Sequence, residues 1–325
     1  MNTDRTCSLL EEISATLQEI STFLHKHSGL TTLPFKNQET HALTRTDNLQ
    51  SRLPNKETSP RIQESAVLSE TTSLPPIPQI PLTLAVFFQQ KNLTLRYSQN
   101  HTPEDSPVFP VALMLAHHYP LLRVILQKIR RSMQTGATFT EFLQPYSDDE
   151  AEILLRFCGE LHRLAFLKNF RHIKSHQPSL RITTSRLPAA QLFFCGRWLE
   201  AWTSFTIHHV HAELESSTQS SILFEILPNA KIQFSNGEYC ELDFLLQLNQ
   251  QLLWVETKSG DFQPHISRLA RTARRLALPP AQCILLLPDA DANACTELSH
   301  ILPFTITNLQ SFPGTLHTLA LTPPQ

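Results

Sequence analysis

Four charged residues interrupt the apolar stretches of one segment in the C-terminal third of the chain. Glu241 and Asp243 stand at the start of one apolar run, and Glu256 and Lys258 stand at the end of the next. Strand side chains alternate between faces, so Glu241 shares a face with Asp243, and Glu256 shares one with Lys258. Burying carboxylates in a sheet is costly unless a positive charge compensates them. The pattern therefore predicts a divalent cation at this place.

A tight antiparallel hairpin would bring these residues together. Its strands are predicted at 242–248 and 252–255, with a turn at 249–251. The apolar residues expected to point away from the charged ones are Leu242, Phe244, Leu253 and Val255. The alternative is that Glu256 and Lys258 form a solvated edge of the sheet.

This arrangement resembles the site of the PD-(D/E)xK nuclease superfamily. Glu256-Thr257-Lys258 is the only carboxylate-x-lysine triplet in the chain, and Asp243 lies one hairpin strand earlier. The resemblance implies that Asp243 and Glu256 bind Mg²⁺ or Mn²⁺, helped by the Thr257 carbonyl. It also implies that Lys258 orients the water that attacks a phosphodiester bond of DNA or RNA.

Further segments resemble the nuclease module of CRISPR ancillary nucleases that carry a CARF sensor domain. The segment 196–200 matches Gly-x-Trp-Leu-Glu, 240–243 matches an Asn-Glu-Leu-Asp type strand, and 256–260 matches Glu-x-Lys-x-Gly. The resemblance covers about residues 190 to 310. It implies that Glu200 completes the catalytic site and that Glu241 supports it.

The match departs from the family patterns at two positions. Leu242 replaces the superfamily's usual proline, and Cys240 replaces an asparagine. The sensor's alternating strands and helices are not expected in residues 1–79, so a response to a cyclic oligonucleotide is not implied. For Glu200 the alternative is a capping or solvated glutamate at the rim of an apolar helix.

The resemblance implies a restriction-endonuclease-like α/β core at 188–325, in the order helix, three antiparallel strands, helix, strand. The first helix is predicted from Gln191 to about Glu213, and the second from Pro264 to Ala277. Apolar runs predict strands at 283–287 and 304–307, and a helix at 292–301 separates them.

Basic side chains indicate contact with nucleic acid. Arg268, Arg271 and Arg275 form a stripe along the second helix, which could receive phosphates, although a solvated face is the alternative. Residues 80–189 hold 13 basic and 8 acidic groups, whereas 190–325 hold 7 and 12. A basic segment beside an acidic one suits a protein that grips phosphates with one part and cuts with the other.

Residues 80–187 are predicted to form a helical, winged-helix domain. The expected elements are an edge hairpin at 82–88 and 93–97, helices at 111–118 and 120–133, a short helix from Thr138 to Tyr146, a helix from a capping box at Ser147 to about Leu167, and a wing hairpin at 169–173 and 180–183.

The resemblance of this domain to winged helices is topological. Lys168, Arg171 and Lys174 on the wing, and Lys128 and Arg130 on the earlier helix, would contact the nucleic-acid backbone. The alternative is a domain used for packing or dimerisation.

The N-terminal residues 1–27 place apolar residues at heptad spacing. They are predicted to form an amphipathic helix that docks on this chain, pairs in a homodimer or binds a partner protein. The polar segment 28–79 is rich in proline and is predicted to be a disordered linker.

Several classes of protein are excluded by composition. No apolar run is long enough for a membrane span, and the N-terminus lacks the apolar core of a signal peptide. The 6 cysteines show neither disulfide nor zinc spacing, which favours a cytoplasmic protein. There is no nucleotide-binding glycine motif. Two alternatives to an autonomous nuclease stay open: a catalytically inactive nucleic-acid-binding or regulatory protein on the same fold, and a component that cuts only with a partner.

Overall fold

The structure is a computed structural model that describes residues 81–98 and 106–323. The predicted heptad helix at 1–27 and the whole proline-rich segment at 28–79 lie outside these residues. The elements up to residue 192 are α1 (Leu82–Gln90), β1 (Thr94–Tyr97), α2 (Phe109–His117), α3 (Tyr119–Thr135), β2 (Thr138–Phe142), α4 (Asp148–Arg163), β3 (Leu167–Ile173), β4 (Ser179–Thr184) and α5 (Pro188–Leu192).

The remaining helices and strands follow residue 192 and include those that carry the candidate site. They are a π-helical turn (Phe193–Arg197), α6 (Trp198–Thr218), β5 (Phe224–Gln233), β6 (Tyr239–Leu248), β7 (Gln251–Thr257), α7 (Gln263–Leu276), β8 (Cys283–Leu286), α8 (Ala292–Ile301), β9 (Thr305–Thr307) and α9 (Phe312–Leu321).

A mixed sheet organises this second half, with the strand order β1-β5-β6-β7-β8-β9. The pairs from β1 to β7 are antiparallel, and β8 and β9 add in parallel to β7. Because α7 connects β7 to β8, the parallel pairing has the crossover helix it requires. The expected order of a helix, three antiparallel strands, a helix and a strand therefore occurs in α6 through β8.

The sheet is covered on both faces. Consecutive residues point to opposite faces: Leu246 belongs to the buried cluster around α6, and Leu245 belongs to the one around α7 and α8. Leu242 lies in the α7 cluster and Phe244 in the α6 cluster, so the prediction that they share a face is wrong. The alternation of side chains is interrupted at Asp243. Opposite it on β5 is Asn229, which has φ 49°.

Two elements of the first half differ from their prediction. The run 82–88 is helical, in α1, because the distant Glu225 carboxylate accepts hydrogen bonds from the backbone N–H groups of Thr83 and Leu84 at 3.1 and 3.0 Å. The predicted helix beginning at Thr138 is instead strand β2, which pairs with β4. Its threonine and aromatic residues suit a strand.

Other local predictions are confirmed. The Ser147 capping box opens α4, with Glu150 N–H donating to the Ser147 hydroxyl and the Glu150 carboxylate accepting from Ser147 N–H. The hairpin predicted at 169–173 and 180–183 is β3 and β4, and β2 completes a three-stranded sheet in the order β2-β4-β3.

The helix predicted from Gln191 is broken at Gly196. This glycine has φ 152°, a backbone conformation that other residues rarely adopt, and it lies in the π-helical turn between α5 and α6. The break lets α6 leave at a new angle, so that Glu200 stands in its first turn.

Within the described residues, no single helix is both long and apolar enough to cross a membrane. Only α2 and α3 taken together pass on length and composition, and they are bent by 117°.

Candidate metal centre

The two predicted ligand carboxylates lie across from each other where β6 and β7 separate. Phe244 pairs with Val255, so the next positions along the two strands are Asp243 and Glu256. At the end of β7 the Thr257 N–H binds the Asp243 carboxylate instead of a backbone carbonyl of a neighbouring strand. Its Oδ2 accepts hydrogen bonds from Thr257 N–H at 2.8 Å and from the Thr257 hydroxyl at 2.9 Å. These two bonds fix the carboxylate beside the end of β7.

The Lys258 ammonium lies where the predicted ligands converge. Its Nζ donates to Glu256 Oε1 at 2.8 Å and to the Thr257 carbonyl at 3.0 Å. The same nitrogen is 4.0 Å from Asp243 Oδ2. All three groups expected to hold a cation are therefore gathered around one positive charge.

Glu256 is deeply buried. Only 2% of its side chain is exposed, which contradicts the alternative of a solvated sheet edge. Desolvation and then the neighbouring Asp243 charge raise the pKa of Glu256, and Lys258 partly opposes them. Its Oε2 atom has no hydrogen-bond partner among the described residues. A buried carboxylate oxygen without a partner is costly, so the site favours an additional proton or cation.

Lys258 itself is largely enclosed, with 20% of its side chain exposed. Burial alone would lower its pKa, but Glu256 and Asp243 outweigh that effect, and the net pKa is raised. The lysine therefore carries its charge at neutral pH, as stabilisation of an anion would require.

Glu200 lies close enough to this centre to sense its charges. Burial and the Asp243 carboxylate raise the pKa of Glu200 to about 7, while Arg197 and Lys258 act in the opposite direction. A quarter of its side chain is exposed, and Arg197 Nη1 lies 3.9 Å from its Oε2. Glu241, the supporting residue, is exposed, and its charge also raises the Glu200 pKa.

The residues present fit a hard cation with oxygen ligands. Two carboxylates, one of which has an unpartnered buried oxygen, and a carbonyl are the donors that Mg²⁺ or Mn²⁺ takes. Between residues 81 and 98 and between 106 and 323, no three His, Cys, Asp or Glu side chains converge as a metal-binding cluster. The predicted set has two such side chains, Asp243 and Glu256, and the backbone oxygen of Thr257.

The arginine stripe on α7 divides into different roles. Arg268 Nη2 lies 3.7 Å from Glu256 Oε1, and half of its side chain is exposed. Arg271 is exposed. Arg275 instead stacks on Phe234, 3.5 Å from the ring centre, and hydrogen-bonds Glu238 and Asn236 at the β5–β6 turn. Arg275 is therefore engaged in holding the hairpin.

The β3–β4 hairpin carries its predicted basic residues on its surface. Lys168, Arg171 and Lys174 are exposed, and Arg171 lies directly across from Arg181 on the neighbouring strand. Two adjacent arginines repel each other, so this face is poised for an anion. The earlier helix differs from its prediction, because Lys128 pairs with the buried Glu141.

Arg130 on α3 also turns inward, which sequence reasoning missed. It hydrogen-bonds Phe194 and Ser259, next to the segments that carry Glu200 and Lys258. Ser259 lies inside the Glu-x-Lys-x-Gly segment, so the sequence could have predicted that it lies next to the site. No local pattern distinguishes Arg130 from the surface arginines of the same helix.

The fold defined by these elements is mixed α/β. No protein-family model and no curated protein matches the sequence. Among solved structures it is similar to Can2 from Sulfobacillus thermosulfidooxidans in complex with cyclic tetra-adenylate, at 13% identity over 72% of this chain and 59% of that one, with a TM-score of 0.45. It is also similar to protein VC1899 from Vibrio cholerae, at 15% identity over 73% and 60%, with a TM-score of 0.47. The chain spans about three fifths of either protein.

Proposed function

We propose that this protein is a metal-dependent nuclease that hydrolyses phosphodiester bonds of DNA or RNA, on a restriction-endonuclease-like core preceded by a winged-helix unit. The observation that carries the proposal is the convergence of Asp243, Glu256 and the Thr257 carbonyl on the Lys258 ammonium. Carboxylates with a pKa raised by burial and by a neighbouring carboxylate, as at Glu256, cluster at functional sites.

Asp243, Glu256 and the Thr257 carbonyl would hold Mg²⁺ or Mn²⁺. A divalent ion there would polarise the scissile phosphate and lower the pKa of a bound water. Thr257 positions Asp243 through its N–H and hydroxyl, so that the carboxylate needs no rearrangement to act as a ligand.

Lys258 would then turn from the carboxylates to the substrate. Only 20% of the Lys258 side chain is exposed. The ammonium would therefore face the reacting phosphate rather than solvent, and it would orient water and stabilise developing charge there. Glu200, with its pKa raised to about 7, could exchange a proton near neutral pH in the same site.

The substrate would be gripped by basic residues outside the centre. Arg268 and Arg271 on α7 and the Arg171–Arg181 pair on the wing present positive charge without a carboxylate that neutralises it fully. These contacts address the phosphate backbone, and they carry no sequence information by themselves.

One observation favours a second candidate, an inactive nucleic-acid-binding or regulatory protein. The ion pair of Lys258 with Glu256 already compensates the buried carboxylate, as a permanent structural pair would. In this case the protein would bind nucleic acid through its basic residues, and divalent cations would not change the affinity.

A cleavage assay separates the two candidates. Single- and double-stranded DNA and RNA are incubated with the wild-type protein in Mg²⁺, Mn²⁺ or EDTA, and Lys258→Ala is run beside it. The nuclease proposal requires product from at least one substrate with metal and none with EDTA or with Lys258→Ala. Binding of nucleic acid without product, unchanged by metal, would establish the second candidate.

A further inference from the structure

Arg130 connects the helical unit to both segments that carry the candidate site. Its Nε donates to the Phe194 carbonyl at 2.7 Å, and its Nη1 donates to the Ser259 carbonyl at 2.8 Å. Its Nη2 donates to the Ser259 hydroxyl at 3.0 Å. Phe194 lies in the turn that leads to Glu200, and Ser259 directly follows Lys258. One guanidinium thus touches the backbone on both sides of the site.

The contacts fall where the helix is irregular. The kink at Gly196, whose backbone angles are not helical, interrupts the regular ladder of backbone hydrogen bonds. Besides the Arg130 contact to Phe194, the Ser259 hydroxyl donates to the Cys195 carbonyl at 3.3 Å. A Cβ at Gly196 would lie 3.5 Å from that hydroxyl, so the two segments are in direct contact.

The charge of Arg130 has no ion-pair partner among the described residues. Burial lowers its pKa, and Tyr119 and Asp289 act in the opposite direction. Asp289 itself accepts a hydrogen bond from the Tyr119 hydroxyl at 2.8 Å. An arginine stays charged in such surroundings, and enclosing it without a carboxylate is expensive. Its rigid fork of donors explains why it is there, since it fits three acceptors from two segments at once.

We propose that Arg130 is a positioning residue that fixes the helix carrying Glu200 against the strand end carrying Lys258. The helical unit would thereby complete the geometry of the centre, with Arg130 acting through the Phe194 and Ser259 contacts rather than as a metal ligand. The catalytic consequence rests on the proposed function, whereas the positioning itself does not.

The positioning is tested by hydrogen exchange, which needs no activity. In Arg130→Gln, peptides covering 194–200 and 258–262 should exchange about tenfold faster or more. The reason is that the Arg130 hydrogen bonds, which clamp the two segments together, no longer oppose local opening. The β8 peptide should keep its rate, and Arg156→Gln, an exposed arginine on α4, is the matched control. Unchanged exchange at both segments, or equal acceleration in β8, would overturn the proposal.

The consequence for catalysis is tested by kinetics. Arg130→Gln should lower kcat by about 10²-fold with KM nearly unchanged, since a small misplacement of catalytic groups costs that much. Arg130→Lys should fall between wild type and Arg130→Gln. Ser259→Ala should lower kcat as well, and the double variant should be no slower than Arg130→Gln, because both changes release one clamp.

The outcomes distinguish the two proposals. A rise in KM with unchanged kcat, or additive losses in the double variant, would refute positioning by Arg130. A wild-type protein that cuts no substrate refutes the nuclease, and the exchange experiment then still decides whether Arg130 holds the two segments. Ser259→Ala removes only a hydroxyl and provides the same exchange test if Arg130→Gln does not fold.

Discussion

Replacing Glu200 by glutamine should make the metal-free protein more stable at about pH 8. The folded state raises the pKa of this carboxyl from its ordinary value of 4.5 to about 7, because burial and Asp243 disfavour the charged form. A raised pKa means that its stabilising contribution is fully present below pH 4.5 and is lost as the pH rises through 7. Glutamine keeps the shape of the side chain and does not ionise.

The size of the effect follows from the difference between the two pKa values. Each pKa unit corresponds to about 1.4 kcal/mol, so the upper limit is roughly 3 kcal/mol at about pH 8. A quarter of the side chain is exposed, so solvent reduces this value. We expect Glu200→Gln to raise the free energy of unfolding by about 1 to 2 kcal/mol at about pH 8. At pH 4.5, the ordinary pKa of the carboxyl, we expect almost no difference.

Urea unfolding followed by tryptophan fluorescence in EDTA measures this difference at both pH values. Glu297→Gln, an exposed glutamate on α8, is the control and should stay within about 0.5 kcal/mol of wild type. The reasoning about burial is refuted if Glu200→Gln is no more stable than wild type at the higher pH. It is also refuted if the gain is the same at both pH values, since the effect would then not come from charge.

Four further substitutions test separate parts of the site. Lys258→Ala should abolish cleavage while leaving Mn²⁺ affinity equal or higher, because it removes a competing cation 2.8 Å from Glu256; calorimetry that shows weaker binding would contradict this role. Gly196→Ala should lower the free energy of unfolding by about 1 to 3 kcal/mol, measured in urea, because φ 152° strains any residue with a Cβ; wild-type stability would show that the turn relaxes. Arg271→Ala should weaken nucleic-acid binding and its salt dependence without a change in stability, whereas Arg275→Ala should cost about 1 kcal/mol of stability; identical profiles for the two variants would disprove the division of roles.

Much of the core could be predicted because its signals are local. The hairpin of β6 and β7 follows from two apolar runs and a turn, and the α4 start follows from the Ser147 capping box. The convergence of Asp243 and Glu256 follows from the register of that hairpin, whereas the break in side-chain alternation between Leu242 and Phe244 could not be predicted. The roles of these carboxylates as metal ligands stay a prediction.

The errors arose where distant residues decide the local structure. The segment 82–88 is as apolar as a strand, and it becomes a helix whose first N–H groups are bound by Glu225, about 140 residues away in sequence. Thr138 reads equally well as a helix cap and as a strand residue, and pairing with Thr183 on β4 decides between them. Arg130 has the same local pattern as a surface arginine, and only the folded chain shows what it binds.

The most direct test is a calorimetric titration of Mn²⁺ into the wild-type protein, Asp243→Asn and Glu256→Gln at about pH 8, which is chosen because burial raises the pKa of Glu256. The proposed centre predicts saturable binding by wild type, and affinity lower by at least about tenfold in either variant. Glu297→Gln should bind like wild type. No saturable binding by the wild-type protein, or equal affinity in all four, would contradict a metal site formed by Asp243 and Glu256.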